Sequence, residues 1–294
     1  MAKSALLKSS IAKKYWMALT GLFLCLFLAG HLAGNLQLLV PNNALNFNQY
    51  ALFMTSNPAV KLLSYLTYIS ILFHAIDGIA LTIQNKKARP IGYAKTNGST
   101  SSFASRNMAV LGTIILVFIV THMVNFWAKM HFDKNMPLMT KIIDVQGQKQ
   151  NFYVGTQVGQ YFPVEQVAKE GDKTDQTMMP KQFVIKNRTE LYYSQADVKT
   201  ADLYKDLYKI TIDFFKDAKY GLYFTIGYVL AMIALAFHLW HGFQSAFQSL
   251  GVNSSKLTPV IKFFGRAFAI VVPLFLLLFQ LSYTLKNKQH QYIL

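Results

Sequence analysis

Residues 221–248 read GLYFTIGYVLAMIALAFHLWHGFQSAFQ, with no Asp, Glu, Lys or Arg anywhere in the run. The hydrocarbon core of a bilayer takes about 20 apolar residues of helix to cross. This stretch therefore decides the fold class: it is a membrane span, and it carries His238 and His241. Working outward, four more runs have the same character, at about Tyr15–Val40, Val60–Gln84, Met108–Lys129 and Phe268–Leu285. Each is long enough to cross, the longer ones with some tilt. The expectation is an all-α membrane protein with five transmembrane helices. The first run follows Lys3, Lys8, Lys13 and Lys14, a pattern shared with signal peptides. It is too long for a signal-peptide apolar region and holds His31, Asn35 and Gln37, so it reads as a retained helix.

The chain has 29 Lys and Arg against 13 Asp and Glu, a formal net charge of +16, yet 53% of it is hydrophobic. A disordered basic tail would lack the apolar content, and a nucleic-acid-binding domain of this charge is rarely so apolar. A disulfide scaffold needs more than Cys25 alone, and that residue lies inside an apolar run, where a buried thiol is expected. The basic residues instead sort by loop. The N-terminal arm, the link with Lys86, Lys87, Arg89, Lys95 and Arg106, and the link with Lys256, Lys262 and Arg266 contain no acid. All three fall on one side of a five-span chain. Loops rich in Lys and Arg stay in the cytoplasm, so the N-terminus is expected inside and the C-terminus outside, in the periplasm of a Gram-negative bacterium. The Gly98–Ser102 stretch, rich in Ser and Thr, reads as a cytoplasmic loop.

The link from 131 to 219 is of another kind. It holds twelve of the thirteen acidic residues, nearly balanced by Lys and Arg, and topology puts it outside the membrane. Alternating stretches such as Gln182-Phe-Val-Ile-Lys186 read as short strands. Leu203, Leu207, Ile210 and Phe214 recur at helical spacing. They predict an amphipathic helix, either lying on the outer membrane interface or packed against the rest of the loop.

Five of the seven histidines lie within spans: His31, His74, His122, His238 and His241. An ionisable side chain inside a membrane is costly and marks function by default, although for any one His a helix–helix hydrogen bond is the simpler reading. Their depths form a pattern. His74 and His238 each stand ten residues before a Gln, Gln84 and Gln248, near the cytoplasmic ends of the second and fourth spans. His31 and His122 stand roughly nine and seven residues before the outer ends of the first and third, at about 1.5 Å of rise per residue. Two levels, each with an imidazole pair on different helices, is what two haems with His on both axial faces require, held in a bundle of the first four spans. Gly34, Gly78 and Gly242 each follow one of these histidines by three or four residues, where a small residue lets a flat ring approach. His241, one turn nearer the cytoplasm than His238, suits a hydrogen bond to a haem propionate or quinone head; interfacial packing is the alternative. A His-lined transporter would be expected to carry more carboxylates. Here Asp77 is the single acid within the spans, read as the partner of a Lys or Arg.

These residues resemble a family. Leu28-Ala-Gly-His-Leu-Ala-Gly-Asn-Leu36, Phe73-His-Ala-Ile-Asp-Gly-Ile79, Thr121-His-Met-Val-Asn-Phe126 and Leu235-Ala-Phe-His-Leu-Trp-His-Gly-Phe-Gln-Ser-Ala-Phe-Gln-Ser-Leu-Gly251 look like motifs of the dihaem cytochrome b membrane anchors of bacterial succinate:quinone oxidoreductases (succinate dehydrogenase/fumarate reductase), in the single-subunit, five-helix form found in Bacteroidetes-like bacteria. The resemblance covers roughly residues 5–132 and 200–285. It implies a single transmembrane cytochrome b domain over residues 1–294, with the 131–219 segment as an extracytoplasmic insertion longer than usual. It implies two haem b groups, the proximal on His74 and His238 and the distal on His31 and His122. It further implies flavoprotein and iron–sulfur partner subunits on the cytoplasmic side, menaquinone as the expected quinone, and the bacterial inner membrane as the location. Ala236 and the acid-free 44–76 segment depart from relatives that use Glu for transmembrane proton movement.

The chain itself lacks a nucleotide-binding glycine fingerprint, a Cys cluster and a Ser/His/Asp set, so succinate chemistry would belong to the partner subunits. No nucleic-acid partner is implied, and a homo-oligomer of the whole complex stays open. The 86–106 and 251–259 links are the expected docking surfaces. Asn35, Gln37 and Asn125 are the quinone-site candidates, with Gln244, Ser245 and Gln248 as rivals. The 131–219 segment is expected to cap the distal haem or to meet a periplasmic protein. A dihaem subunit of another respiratory oxidoreductase, and a haem-free His-lined transporter, are the other readings.

Overall fold

The computed structural model describes residues 9–88, 91, 102–169 and 181–291. Lys3, Lys8, Arg89, Lys95 and residues 98–101 of the Ser/Thr-rich stretch lie outside them, as does the 170–180 part of the long link. Helix α1 (Ser10–Asn35) continues as a 3₁₀ turn (Leu36–Leu39). Then come α2 (Ala44–Ser56), α3 (Pro58–Ala88), the short α4 (Phe103–Arg106) and α5 (Met108–His122). A π-helical stretch (Met123–Ala128) joins α5 to α6 (Lys129–Phe132). After a β-rich segment follow α7 (Leu207–Lys216), α8 (Gly221–Ser249) and α9 (Leu257–Gln291).

Five helical stretches are long and apolar enough to cross a membrane: Ile11–Leu39, Pro58–Ala88, Met108–Phe132, Gly221–Ser249 and Leu257–Thr284. They coincide with the five expected spans. The fifth begins eleven residues earlier than its apolar run, because Lys262 and Arg266 stay in helix; their long stems tolerate a membrane boundary. The all-α expectation needs correction. The spans are helical, but the long link folds as two small β-sheets.

The chain divides into two compact units. One comprises Met1–Leu39, Pro58–Thr121 and Phe215–Leu294; the other comprises Val40–Asn57 and His122–Phe214. The second thus holds α2 and the end of the third span together with residues 131–214 of the long link, while 215–219 fall in the first.

In the first unit, α1 packs against α3 and α8, and α8 against α9. Ala231, Met232, Leu235 and Leu239 of α8 mesh with Ala269, Val272 and Leu276 of α9, and Cys25, Leu28 and Leu32 of α1 close over them. Cys25 is half-buried there. Lipid is as apolar as these side chains, so close packing rather than water exclusion holds such helices together. Two contacts show how close it is. A Cβ on Gly265 would stand 2.7 Å from the Phe243 ring, so only glycine lets α9 approach α8 at that point. Farther along, the hydroxyls of Thr225 and Thr284 meet at 2.7 Å, a polar cross-link between the same two helices.

In the second unit, β1 (Thr140–Val145), β2 (Gln148–Val154) and β3 (Tyr161–Pro163) form an antiparallel sheet. Strands β4 (Val167–Lys169), β5 (Phe183–Lys186), β6 (Glu190–Tyr193) and β7 (Val198–Asp202) form the other, with β4 parallel to β5. The expected strand at 182–186 is β5. Phe183 and Ile185 point inward, as the period of two requires, and join Leu191, Ala201 and Leu203 in the sheet core. Leu203 thus belongs to the sheet and not to the amphipathic helix, which begins at Leu207. Leu207 and Ile210 pack against Ala51, Met130 and Met136, of which only Met136 belongs to the long link.

The start of α7 is fixed by a buried polar knot. Asp206 Oδ1 accepts from the Lys209 amide at 2.9 Å, as a helix N-cap does, and also from Asn48 Nδ2 at 2.9 Å. The Asn48 carbonyl oxygen in turn accepts the Tyr208 amide at 3.0 Å. Asn48 is 1% exposed, and these bonds satisfy what its burial would otherwise leave costly.

Candidate functional site

His74 on α3 and His238 on α8 stand ring to ring, with centroids 6.1 Å apart and planes at 66°. Each is supported differently. Thr20 of α1 brings its Oγ1 to 3.2 Å from His74 Nδ1 and 2.8 Å from the Trp16 carbonyl. A threonine hydroxyl has one hydrogen. Donated to the Trp16 carbonyl, as in the usual i−4 bond of a helical Thr, it leaves an oxygen lone pair that accepts the His74 Nδ1–H. That tautomer puts the ring's free lone pair on Nε2, the state an imidazole needs to ligate a metal. The neighbouring Gly21 is part of the same seat, since a Cβ there would stand 3.1 Å from His74 Cε1.

His238 is held by packing. Its Nδ1 is buried and has no hydrogen-bond partner among the described residues. Gly112 and Gly242 flank the ring, where an added Cβ would meet it at 3.8 and 4.0 Å, ordinary contact distances. Around Gly78 the space is open, with no atom within 4 Å of where a Cβ would stand. Of the glycines read from sequence, neither Gly78 nor Gly242 presses on a histidine, while Gly21, which the spacing argument passed over, does. Gly34 is buried in the last turn of α1.

The pair's separation can be compared with what a haem iron would need. A metal–imidazole bond of about 2 Å on each side, with each ring centroid about 1 Å behind its nitrogen, gives roughly 6 Å between centroids. The observed centroid separation is 6.1 Å, which is also that of an edge contact between the two rings. Among the described residues no cluster of three or more His, Cys, Asp and Glu could hold a bare metal ion, whereas an axially ligated haem asks for two imidazoles only.

The remaining candidates lie as follows. His31 of α1 stacks on Phe27 at 5.5 Å, and its carbonyl accepts the Asn35 side-chain amide at 2.7 Å. Gln37 is half-buried in the 3₁₀ turn. His122 closes α5 with its ring 5.2 Å from Phe126. Asn125 lies half-buried in the π-helical stretch, a local widening that recurs at functional sites. His31 belongs to the first unit and His122 to the second. His241 is half-buried one turn beyond His238. Thr20, Gly21 and the π-helical turn were missed from sequence. The Thr-Gly pair inside an otherwise apolar run was the available signal for the first two; no residue pattern announces the third.

The second unit holds the C-terminal end of the third span. Arg188 donates to the His131 carbonyl at 2.6 Å and the Met130 carbonyl at 3.0 Å, and Lys205 donates to the Met130 carbonyl at 2.8 Å. Two cations thus meet the unpaired carbonyls and negative dipole end of a helix. Asn187 and Arg188 reach this position through a turn with φ of +48° and +73°. Burial and the adjacent Arg188 charge lower the pKa of Lys205 from the ordinary lysine value.

In comparisons with known proteins, no family model, no curated protein and no solved structure matches the chain.

Proposed function

We propose that this chain is the dihaem cytochrome b membrane anchor of a bacterial succinate:quinone oxidoreductase, working in the cytoplasmic membrane with its N-terminus inside. One observation carries the reading: two imidazoles from different membrane helices stand with their ring centroids 6.1 Å apart, and the Thr20 hydroxyl lies within hydrogen-bond reach of one of them. The resemblance of the four histidine motifs supports it.

In this reading His74 and His238 hold the proximal haem, and His31 and His122 the distal one. A haem bound by two histidines has no open axial position, so when bound it supplies one-electron transfer and no oxygen chemistry. The chain's own residues do the rest. Thr20 keeps the His74 Nε2 lone pair available. Gly21 admits the ring, which is half-buried between α1 and α8. Lys86, Lys87, Arg106 and Lys256, on acid-free links, would meet the iron–sulfur and flavoprotein subunits that carry the succinate chemistry. Asn35, Gln37 and Asn125 remain the candidates for hydrogen-bonding a membrane quinone. With the Asn35 amide bonded to the His31 carbonyl, its Oδ1 is the atom left to accept from a quinol.

The test is a pyridine haemochrome assay on the purified protein together with identification of co-purifying subunits. Two haems b per chain and a flavoprotein with succinate-to-quinone activity are expected. His238→Ala should remove one haem and leave the other. A haem-free wild-type protein would overturn the proposal.

A further inference from the structure

The first unit carries a cationic face that the electron-transfer reading does not use. Near the start of α9, Pro259, Lys262, Phe263, Arg266, Ala267 and Ile270 of this one helix border an open surface hollow of about 390 Å³. It adjoins a second of about 600 Å³ that shares Pro259 and Lys262 and adds the polar side chains of Asn253, Ser254, Ser255 and Thr258. Lys262 and Arg266 are four residues apart, on one face of the helix. The Arg266 guanidinium sits 5.2 Å from the centre of the Trp240 ring of α8, a cation–π contact that orients it. Among the described residues neither Lys262 nor Arg266 makes an ion pair with an acid.

The surroundings say what kind of anion fits. Phe263 is 69% exposed and Ile270 53% exposed, so an apolar surface begins on the same face and continues into the span. A partner protein in water could reach Lys262 but would gain nothing from Ile270. A molecule with a phosphate at one end and hydrocarbon at the other matches both halves. Trp240 contributes an amphipathic ring of the kind found beside lipid headgroups.

We propose that Lys262, Arg266 and Trp240 form a binding site for the phosphodiester headgroup of an anionic phospholipid, with an acyl chain lying along Phe263 and Ile270. Basic pockets beside membrane helices bind such headgroups, and removing both charges should weaken binding about thirtyfold at the usual contribution of a near-surface cation.

The experiment is native mass spectrometry of the full chain, with any co-purifying subunits, released from nanodiscs of equal parts phosphatidylglycerol and phosphatidylcholine. The wild type should retain phosphatidylglycerol and not phosphatidylcholine. Lys262→Gln/Arg266→Gln should lose it, while Lys86→Gln/Lys87→Gln, equal in charge removed, should keep it. Raising salt should release the lipid from the wild type, which tests the site even if the double variant does not fold. Four results would overturn the proposal: equal loss in both double variants, retention indifferent to salt, inorganic phosphate bound as tightly as the lipid, or a Lys262→Gln/Arg266→Gln protein that keeps its phosphatidylglycerol and loses only soluble partner polypeptides.

Discussion

Thr20 Oγ1 stands 3.2 Å from His74 Nδ1, joining two membrane helices through a hydroxyl that also lies 2.8 Å from the Trp16 carbonyl. With its hydrogen given to that carbonyl, the hydroxyl selects the Nδ1–H tautomer of His74. Loss of such an outer partner typically costs a metal site 10- to 100-fold in affinity. Thr20→Val keeps the shape of the side chain and removes the acceptor. On the proposed reading, it should lower occupancy of one of two haems and shift its midpoint potential, while Thr20→Ser restores both. A redox titration of the three proteins is the check; identical titrations would remove Thr20 from the site.

Gly21 makes a steric prediction. A Cβ at this position would lie 3.1 Å from His74 Cε1, whereas at Gly78 it would meet no atom. Gly21→Val should therefore displace the His74 ring, costing about 1–3 kcal/mol as overpacking does, and on the proposed reading one haem band should be lost from the reduced absorption spectrum. Gly78→Ala should leave the apoprotein's thermal unfolding unchanged. If it lowers only the haem-loaded form, the open space beside Gly78 is where the macrocycle lies.

Arg188 holds the end of the third span through two carbonyls. Charge-assisted bonds of this kind contribute about 1.5–3 kcal/mol when enclosed and less when partly exposed, so Arg188→Ala should cost about 1 kcal/mol. The expected signature is faster amide exchange at residues 123–132. Unchanged exchange there would mean that Lys205 alone suffices.

Glu190 gives the β-rich segment a pH dependence. Hydrogen bonds from Lys199 and Asn187 hold its carboxyl below the ordinary value of 4.5. A carboxylate with a depressed folded pKa contributes stability that is present above its unfolded value and is lost as pH falls through the folded one. The segment should therefore lose stability on acidification below about pH 4.5. Glu190→Gln should flatten that part of the profile, and because the group is exposed the effect should also weaken in high salt. Circular dichroism across the acid range, with and without salt, tests it.

Much of the architecture was legible along the chain. Runs such as 221–248 need no partner to be recognised, because each helical turn satisfies its own backbone and the bilayer supplies the solvent. The strand at Phe183–Lys186 was legible for a related reason: alternation is a local property. Leu203 went wrong where two periods overlap. Its spacing to Leu207 suits a helix, but the β-bridge between Leu203 and Gly155 ends the pattern one turn short.

What sequence alone determined here is therefore what hydropathy and period determine: five spans, a polar insertion with strands, and five in-span histidines on four helices. Tertiary structure decided which groups serve them. Thr20 lies 54 positions from His74, and Arg188 lies 57 from His131. No local rule links such pairs. They meet because apolar faces elsewhere on their elements pack, and the polar contact rides on that geometry.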